Sequence, residues 1–271
     1  MRRTAITLLT TLAVLLGSAG VSWSADLDKG YDAYKKGDYK TALREFKPLT
    51  KQGYARAQYT LGLMYDKGEG VVQDDKTAVK WYTLAAEQGN ASAQNNLGVM
   101  YEKGRGVVQD YKTAFKWYTL AAKQGYARAQ FNLGYMYYNG EGVIKDDKTA
   151  VKWFTLAAEQ GDAKAQYNLG WMYEKGLGVV QDYKTAVKWY TLAAEQGLTY
   201  AQVNLGLMYY NGQGVPENNV YAYMWYNIAA SSGDKNAAVG RDMVAKKMTP
   251  AEISAAQKLA RECVRKKYKG C

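Results

Sequence analysis

The chain has 271 residues, with 36 lysines and arginines against 25 acids for a formal charge of +11, no histidine, two cysteines and three prolines. Without histidine there is no ordinary general acid/base at neutral pH, no Ser–His or Cys–His nucleophile pair, and the commonest zinc ligand is missing. Twenty-five tyrosines, few prolines and few aliphatic β-branched runs point to an all-α chain packed through rings and alanines rather than a β-sandwich.

Residues 1–24 read as a secretory leader. Arg2 and Arg3 precede an apolar run over residues 5–17, followed by a small-residue tract. Thirteen residues at 1.5 Å each fall well short of a hydrocarbon core of roughly 30 Å, so the run does not span a membrane. Ser22 and Ser24 place small side chains three and one before a cut between Ser24 and Ala25; an uncleaved signal anchor is the alternative. The expected product is soluble and exported, periplasmic or secreted. It keeps 34 basic residues against 25 acids, a charge of +9.

Residues 25–51 form a short helical hairpin, with Tyr31, Ala33 and Tyr34 before a Lys36-Gly37-Asp38 turn and Ala42, Leu43 and Phe46 after it. A period then takes over. Gln52-Gly53, Gln88-Gly89, Gln124-Gly125, Gln160-Gly161 and Gln196-Gly197 recur every 36 residues, and Ser232-Gly233 keeps the step. Five units result, 52–87, 88–123, 124–159, 160–195 and 196–231, without an insertion or deletion, and a fixed period of this size marks a solenoid.

Each unit predicts two helices, in the first unit A over 54–66 and B over 75–87. At 100° per residue Ala57, Leu61, Met64 and Tyr65 share one face of helix A. A glycine recurs mid-helix at positions 62, 98, 134, 170 and 206, where it costs about 1 kcal/mol against alanine; five such choices predict close backbone approach between helices. Helix B carries Ala78, Trp81 and Ala85, and five of the seven tryptophans stand in this one column (Trp81, Trp117, Trp153, Trp189, Trp225). They are expected to fill the space between hairpins as core. In the loop, Gly68 and Gly70 offer positive φ and Asp74 an N-cap for helix B. A phosphate loop is excluded, since no strand precedes the glycines and the pattern recurs in every unit.

The pattern Ala-x-Ala-Gln-x-x-Leu-Gly-x-Met-Tyr-x-x-Gly-x-Gly-Val-x-x-Asp, followed by Ala and Trp in helix B, resembles the Sel1-like repeat, a relative of the tetratricopeptide repeat. The resemblance implies an α/α right-handed superhelical solenoid of antiparallel helix pairs, with helix A lining a concave groove and helix B facing outward. It also implies an adaptor in envelope regulation, assembly or host interaction. That hairpins with a single apolar face must stack to bury it agrees with this architecture.

Residues 232–271 read as a degenerate repeat and a capping helix, the latter begun by Thr249-Pro250-Ala251-Glu252 as a capping box. Cys263 and Cys271 are an even pair in an exported chain and are expected to form a disulfide. The expected product is a monomer without free thiol, and pairing between two chains is the alternative. Ser232 and Lys235 match a Ser-x-x-Lys spacing, but the Ser-Asp-Asn and Lys-Thr-Gly partners of penicillin-recognising enzymes are missing. Asp74-Asp75 and Asp146-Asp147 supply too few oxygens for Ca²⁺. No catalytic residue, cofactor or metal is assigned.

Two surfaces remain as binding candidates. Lys76/Lys80, Lys112/Lys116, Lys148/Lys152 and Lys184/Lys188 form an i,i+4 stripe on helix B, read either as a solvated face or as a contact for an anionic surface; nucleic acid is not expected for an exported chain. Helix A varies opposite its core face, and Tyr59, Asn95, Phe131, Tyr135, Tyr138, Tyr167, Trp171 and Tyr210 stand there as a groove able to hold a protein segment. Inter-repeat packing would explain the same residues. The expected function is a non-enzymatic interaction scaffold. Binding of envelope glycan is the alternative, and hydrolysis of β-lactams or peptidoglycan a remote one.

Overall fold

The computed structural model describes residues 26–271, and the expected leader, residues 1–24, lies outside them. Among the described residues the chain forms fourteen α-helices and no strand. A short hairpin, α1 (Leu27–Lys35) and α2 (Tyr39–Lys51), is followed by five A/B pairs. These are α3 (Ala55–Lys67) with α4 (Asp75–Glu87), α5 (Ala91–Lys103) with α6 (Tyr111–Lys123), and α7 (Ala127–Asn139) with α8 (Asp147–Glu159). Then come α9 (Ala163–Lys175) with α10 (Tyr183–Ala194), and α11 (Thr199–Asn211) with α12 (Asn219–Ser231). The chain closes with α13 (Lys235–Ala245) and α14 (Pro250–Arg265). The principal contacts join helices adjacent in sequence, as in a solenoid, until α14 folds back on α12. No described helix is long and apolar enough to cross a membrane.

Helix ends follow local chemistry. Helix A of the first pair stops where Gly68 adopts φ 71°, a left-handed cap that costs glycine nothing. The second loop glycine meets the preceding pair: a Cβ on Gly106 would run into the Asp75 carbonyl at the start of α4. Helix B starts on an aspartate, Asp74 accepting from the amides of Lys76 and Thr77 and from the Thr77 hydroxyl at 2.6 Å. Those bonds, that of the threonine foremost, hold the Asp74 carboxyl below its ordinary value, and Asp110, Asp146 and Asp182 repeat the arrangement.

The alanine–leucine–methionine face of helix A and, on helix B, Ala78, Ala85 and their equivalents are buried in every pair. The expected tryptophan core is corrected. Trp81, Trp117, Trp153 and Trp189 are only partly buried, each leaning on a cluster that joins the preceding helix pair to helix A of its own pair. The ring that fills each pair belongs to the next residue, Tyr82, Tyr118, Phe154, Tyr190 or Tyr226. The mid-helix glycines explain why. A Cβ on Gly98 would stand 2.6 Å from Tyr118 Cε1, and one on Gly134 2.8 Å from Phe154 Cδ1, so the glycine column seats a ring. At Gly134, Gly170 and Gly206 a backbone carbonyl of the facing helix also lies 3.2–3.3 Å from that position, so the expected close backbone approach holds there as well. Trp225 alone of its column is fully buried, because α14 covers it with Ala260 and Cys263.

The Gln-Gly period has its own cause. Gln58, Gln94, Gln130, Gln166 and Gln202 are buried, and each donates through Nε2 to a carbonyl near the end of the preceding helix, as Gln94 does to Ala86 at 3.0 Å. The first four accept on Oε1 from Gln88, Gln124, Gln160 and Gln196, at 2.7–2.8 Å. At the last step Ser232 replaces the glutamine, and the buried Gln202 Oε1 is left without a partner.

The C-terminus is clipped by a Cys263–Cys271 disulfide, with Cα atoms 5.5 Å apart. Tyr268 lies against Gly197, and the Gly270 amide donates to Glu195 Oε1 at 2.9 Å, tying the tail to the end of α10.

Candidate functional site

The varying residues of helix A separate into those that close the stack and those that remain open. Position 66 and its equivalents face the buried ring of their own pair. The Tyr82, Tyr118 and Tyr190 hydroxyls donate to Asp66 (2.9 Å), Glu102 (2.6 Å) and Glu174 (2.7 Å). Burial, reinforced by those carboxylates, pushes all three phenols well above their ordinary value. Where the core ring is Phe154 there is no hydroxyl to bind, and Tyr138 takes the carboxylate's place. In the fifth pair Tyr210 stands there beside Tyr226, whose phenol burial pushes up to about 12. Tyr138 is therefore released from the duty that holds Asp66, Glu102 and Glu174, and Tyr210 offers Tyr226 no carboxylate.

The middle pairs gather the rings. Phe131 is half-buried, its centroid 5.8 Å from Phe154 and 6.3 Å from Tyr135, which is 43% exposed. Tyr138 meets Trp171 edge to face at 5.6 Å, and Lys145 Nζ lies 5.1 Å from the Tyr138 centroid. Tyr167 packs between Tyr190 (5.8 Å) and Tyr200 (6.2 Å). Burial raises the Tyr167 phenol, with the Glu174 charge adding and an Asn204 hydrogen bond opposing. The result is a strip of rings along α7, α9 and α11, seated on the core by one edge and open at Tyr135 and Tyr200.

The remaining candidates stand apart from that strip. Tyr59 is half-buried against Tyr82 at 6.0 Å, its phenol raised by burial. Asn95, expected in the groove, is 1% exposed, which is a correction: its Oδ1 accepts from Asn132 at 3.0 Å and its amide donates to Asn96, so it bonds neighbouring helices together and is closed to a partner. Tyr210 packs toward the last cluster beneath Lys247, 4.4 Å from its centroid. Sequence reasoning missed Tyr200, which is 64% exposed. Its signal was available, since an aromatic interrupts a column that otherwise reads Arg56, Ser92, Arg128 and Lys164.

Elsewhere the surface is plain. All eight lysines of the helix-B stripe are exposed. Ser232 ends α12 and Lys235 opens α13, both in the turn expected from the Gln-Gly period.

The profile of the Sel1 repeat matches residues 55–90, 91–126, 127–162, 163–198 and 199–234. Among solved structures, a Sel1 repeat protein from Oxalobacter formigenes is 39% identical over 77% of this chain and 83% of that one, with a TM-score of 0.73. A protective antigen with an SLR fold from uropathogenic Escherichia coli is 29% identical over 89% and 69%, with a TM-score of 0.38. An immunity protein from Pseudomonas aeruginosa is 19% identical over 76% and 82%, with a TM-score of 0.49. No curated protein matches the chain.

Proposed function

The chain belongs to the Sel1 repeat family, whose members are generally protein-interaction scaffolds, and we propose that it is an exported, non-enzymatic adaptor holding a segment of a protein partner along helix A. The observation that carries this reading is the ring strip of Phe131, Tyr135, Tyr138, Trp171 and Tyr200, part seated and part open. Rings held on one edge lose little side-chain freedom when a partner covers the other, which is how aromatic residues come to dominate binding energy. The disulfide fits an oxidising compartment, and with the leader pattern it supports export to the periplasm or beyond.

The test compares wild type with Tyr135→Ala and with Tyr135→Ala/Trp171→Ala for retention of proteins from an envelope extract. Retained species are identified by mass spectrometry and rebound as purified protein. A partner that binds wild type directly and loses affinity stepwise through the two variants supports the reading. Undiminished binding to both variants moves the site away from helix A, and retention of glycan alone replaces the adaptor with a glycan binder.

A further inference from the structure

Resting on the adaptor reading, we propose that the partner segment is acidic, and that Lys103, Arg128 and Lys164 receive its carboxylates. These side chains come from three successive A helices, α5, α7 and α9, and line a single depression of about 460 Å³ with Phe131, Asn132 and Asp162. All three cations are exposed, and none forms an ion pair among the described residues. Other cations near the same face are already engaged. Arg56 lies 4.1 Å over the Tyr31 ring, Lys145 and Lys247 lie over Tyr138 and Tyr210, and Lys175 pairs with Glu174.

The nearby acids are also committed. Asp162 Oδ1 accepts the Ala165 amide at 2.9 Å as the cap of α9, and Glu102 Oε2 accepts the Tyr118 hydroxyl at 2.6 Å. The depression is thus lined by three cations and one carboxylate, and like charges gathered against an apolar wall are relieved by an anion from outside. Phe131 forms that wall and joins the depression to the ring strip through Tyr135. A bound segment would place carboxylates over α5–α9 and an apolar or aromatic side chain on the strip beside them. Basic segments would be repelled, so the charge selects as well as attracts.

The experiment selects a random dodecapeptide phage library on the purified protein, then measures enriched peptides by fluorescence anisotropy. Variants are Arg128→Glu/Lys164→Glu, the outward-facing control Lys80→Glu/Lys152→Glu, and Tyr135→Ala, all checked for folding by circular dichroism. The expected result is enrichment of sequences with several acids beside an aromatic or aliphatic residue. Their affinity should fall about tenfold or more in Arg128→Glu/Lys164→Glu, hold within about twofold in the control, and weaken as salt rises. Neutral or basic peptides that depend on Tyr135 alone overturn the acidic partner and leave the helix-A adaptor standing. Acidic peptides bound equally by Arg128→Glu/Lys164→Glu overturn the assignment of these cations. Displacement of every selected peptide by chondroitin sulfate at lower concentration overturns a peptide partner in favour of an anionic glycan.

Discussion

Replacing Gly98 by alanine tests whether the mid-helix glycines exist to seat rings. The added Cβ would stand 2.6 and 2.7 Å from Tyr118 Cε1 and Cδ1, about 1 Å inside the ordinary carbon–carbon contact of roughly 3.5–4.0 Å. The Tyr118 ring has no room to withdraw, being fully buried and fixed at its far end by the 2.6 Å bond to Glu102. Alanine gains about 1 kcal/mol in helix propensity, against an overpacking cost near the upper end of about 1–3 kcal/mol. The net is a destabilisation of about 1–2 kcal/mol. Gly206 is the internal control, because its Cβ would lie 3.2 Å from the nearest Tyr226 atoms and 3.3 Å from the Ala222 carbonyl, overlaps of a few tenths of an ångström rather than about 1 Å. Gly206→Ala is expected to be neutral or to gain up to about 0.5 kcal/mol. Urea unfolding followed by far-ultraviolet circular dichroism should lower the midpoint for Gly98→Ala and not for Gly206→Ala. Equal gains at both sites would refute the ring-seat account and leave only helix propensity acting.

Three further outcomes are expected. Ser232→Gln should restore the missing rung of the glutamine ladder and raise stability by about 1–2 kcal/mol, since the buried Gln202 Oε1 gains a donor; an unchanged melting temperature would contradict this. Tyr82, Tyr118 and Tyr190 are kept neutral in the fold above the ordinary phenol value of 10.0, so their stabilisation is complete below pH 10 and drains away as pH rises above it. Each contributes a slope of about 1.4 kcal/mol per pH unit there, and Tyr118→Phe should flatten the alkaline limb of a stability–pH curve by one such slope. Trp225→Ala should cost about 3–5 kcal/mol in chemical denaturation, and Trp81→Ala clearly less, because α14 covers only the former.

The period, the helix limits and the caps were legible because they rest on local chemistry: Asp74, Gly68 and the Thr249 capping box act within a few residues of themselves. The core ring was harder to find. Residues 81 and 82 lie 100° apart on helix B, and size alone favoured tryptophan, whereas the seat is set by Gly62 on the facing helix. A pattern within the chain did hold the answer. Tyr82 occurs with Asp66, Tyr118 with Glu102 and Tyr190 with Glu174, while Phe154 occurs with Tyr138. In these four pairs the 82 and 66 columns change together as a hydroxyl and its acceptor do; Tyr226 with Tyr210 is the exception. The site was read less well for a related reason. Wheel angle separates the A–B core from the rest of helix A, but not an inter-helix contact from an open face. Asn95 is drawn inward by Asn132, a partner 37 positions away, while Tyr200 lies in a column that appeared merely polar.

The central claim, that helix A carries a protein partner, is tested most directly by photo-crosslinking in the native organism, with p-benzoylphenylalanine placed at position 135 and separately at position 80. The account predicts that position 135 captures a protein in a defined adduct and that position 80, exposed on helix B, captures none. An adduct formed only from position 80, or the same adducts from both positions, would contradict it.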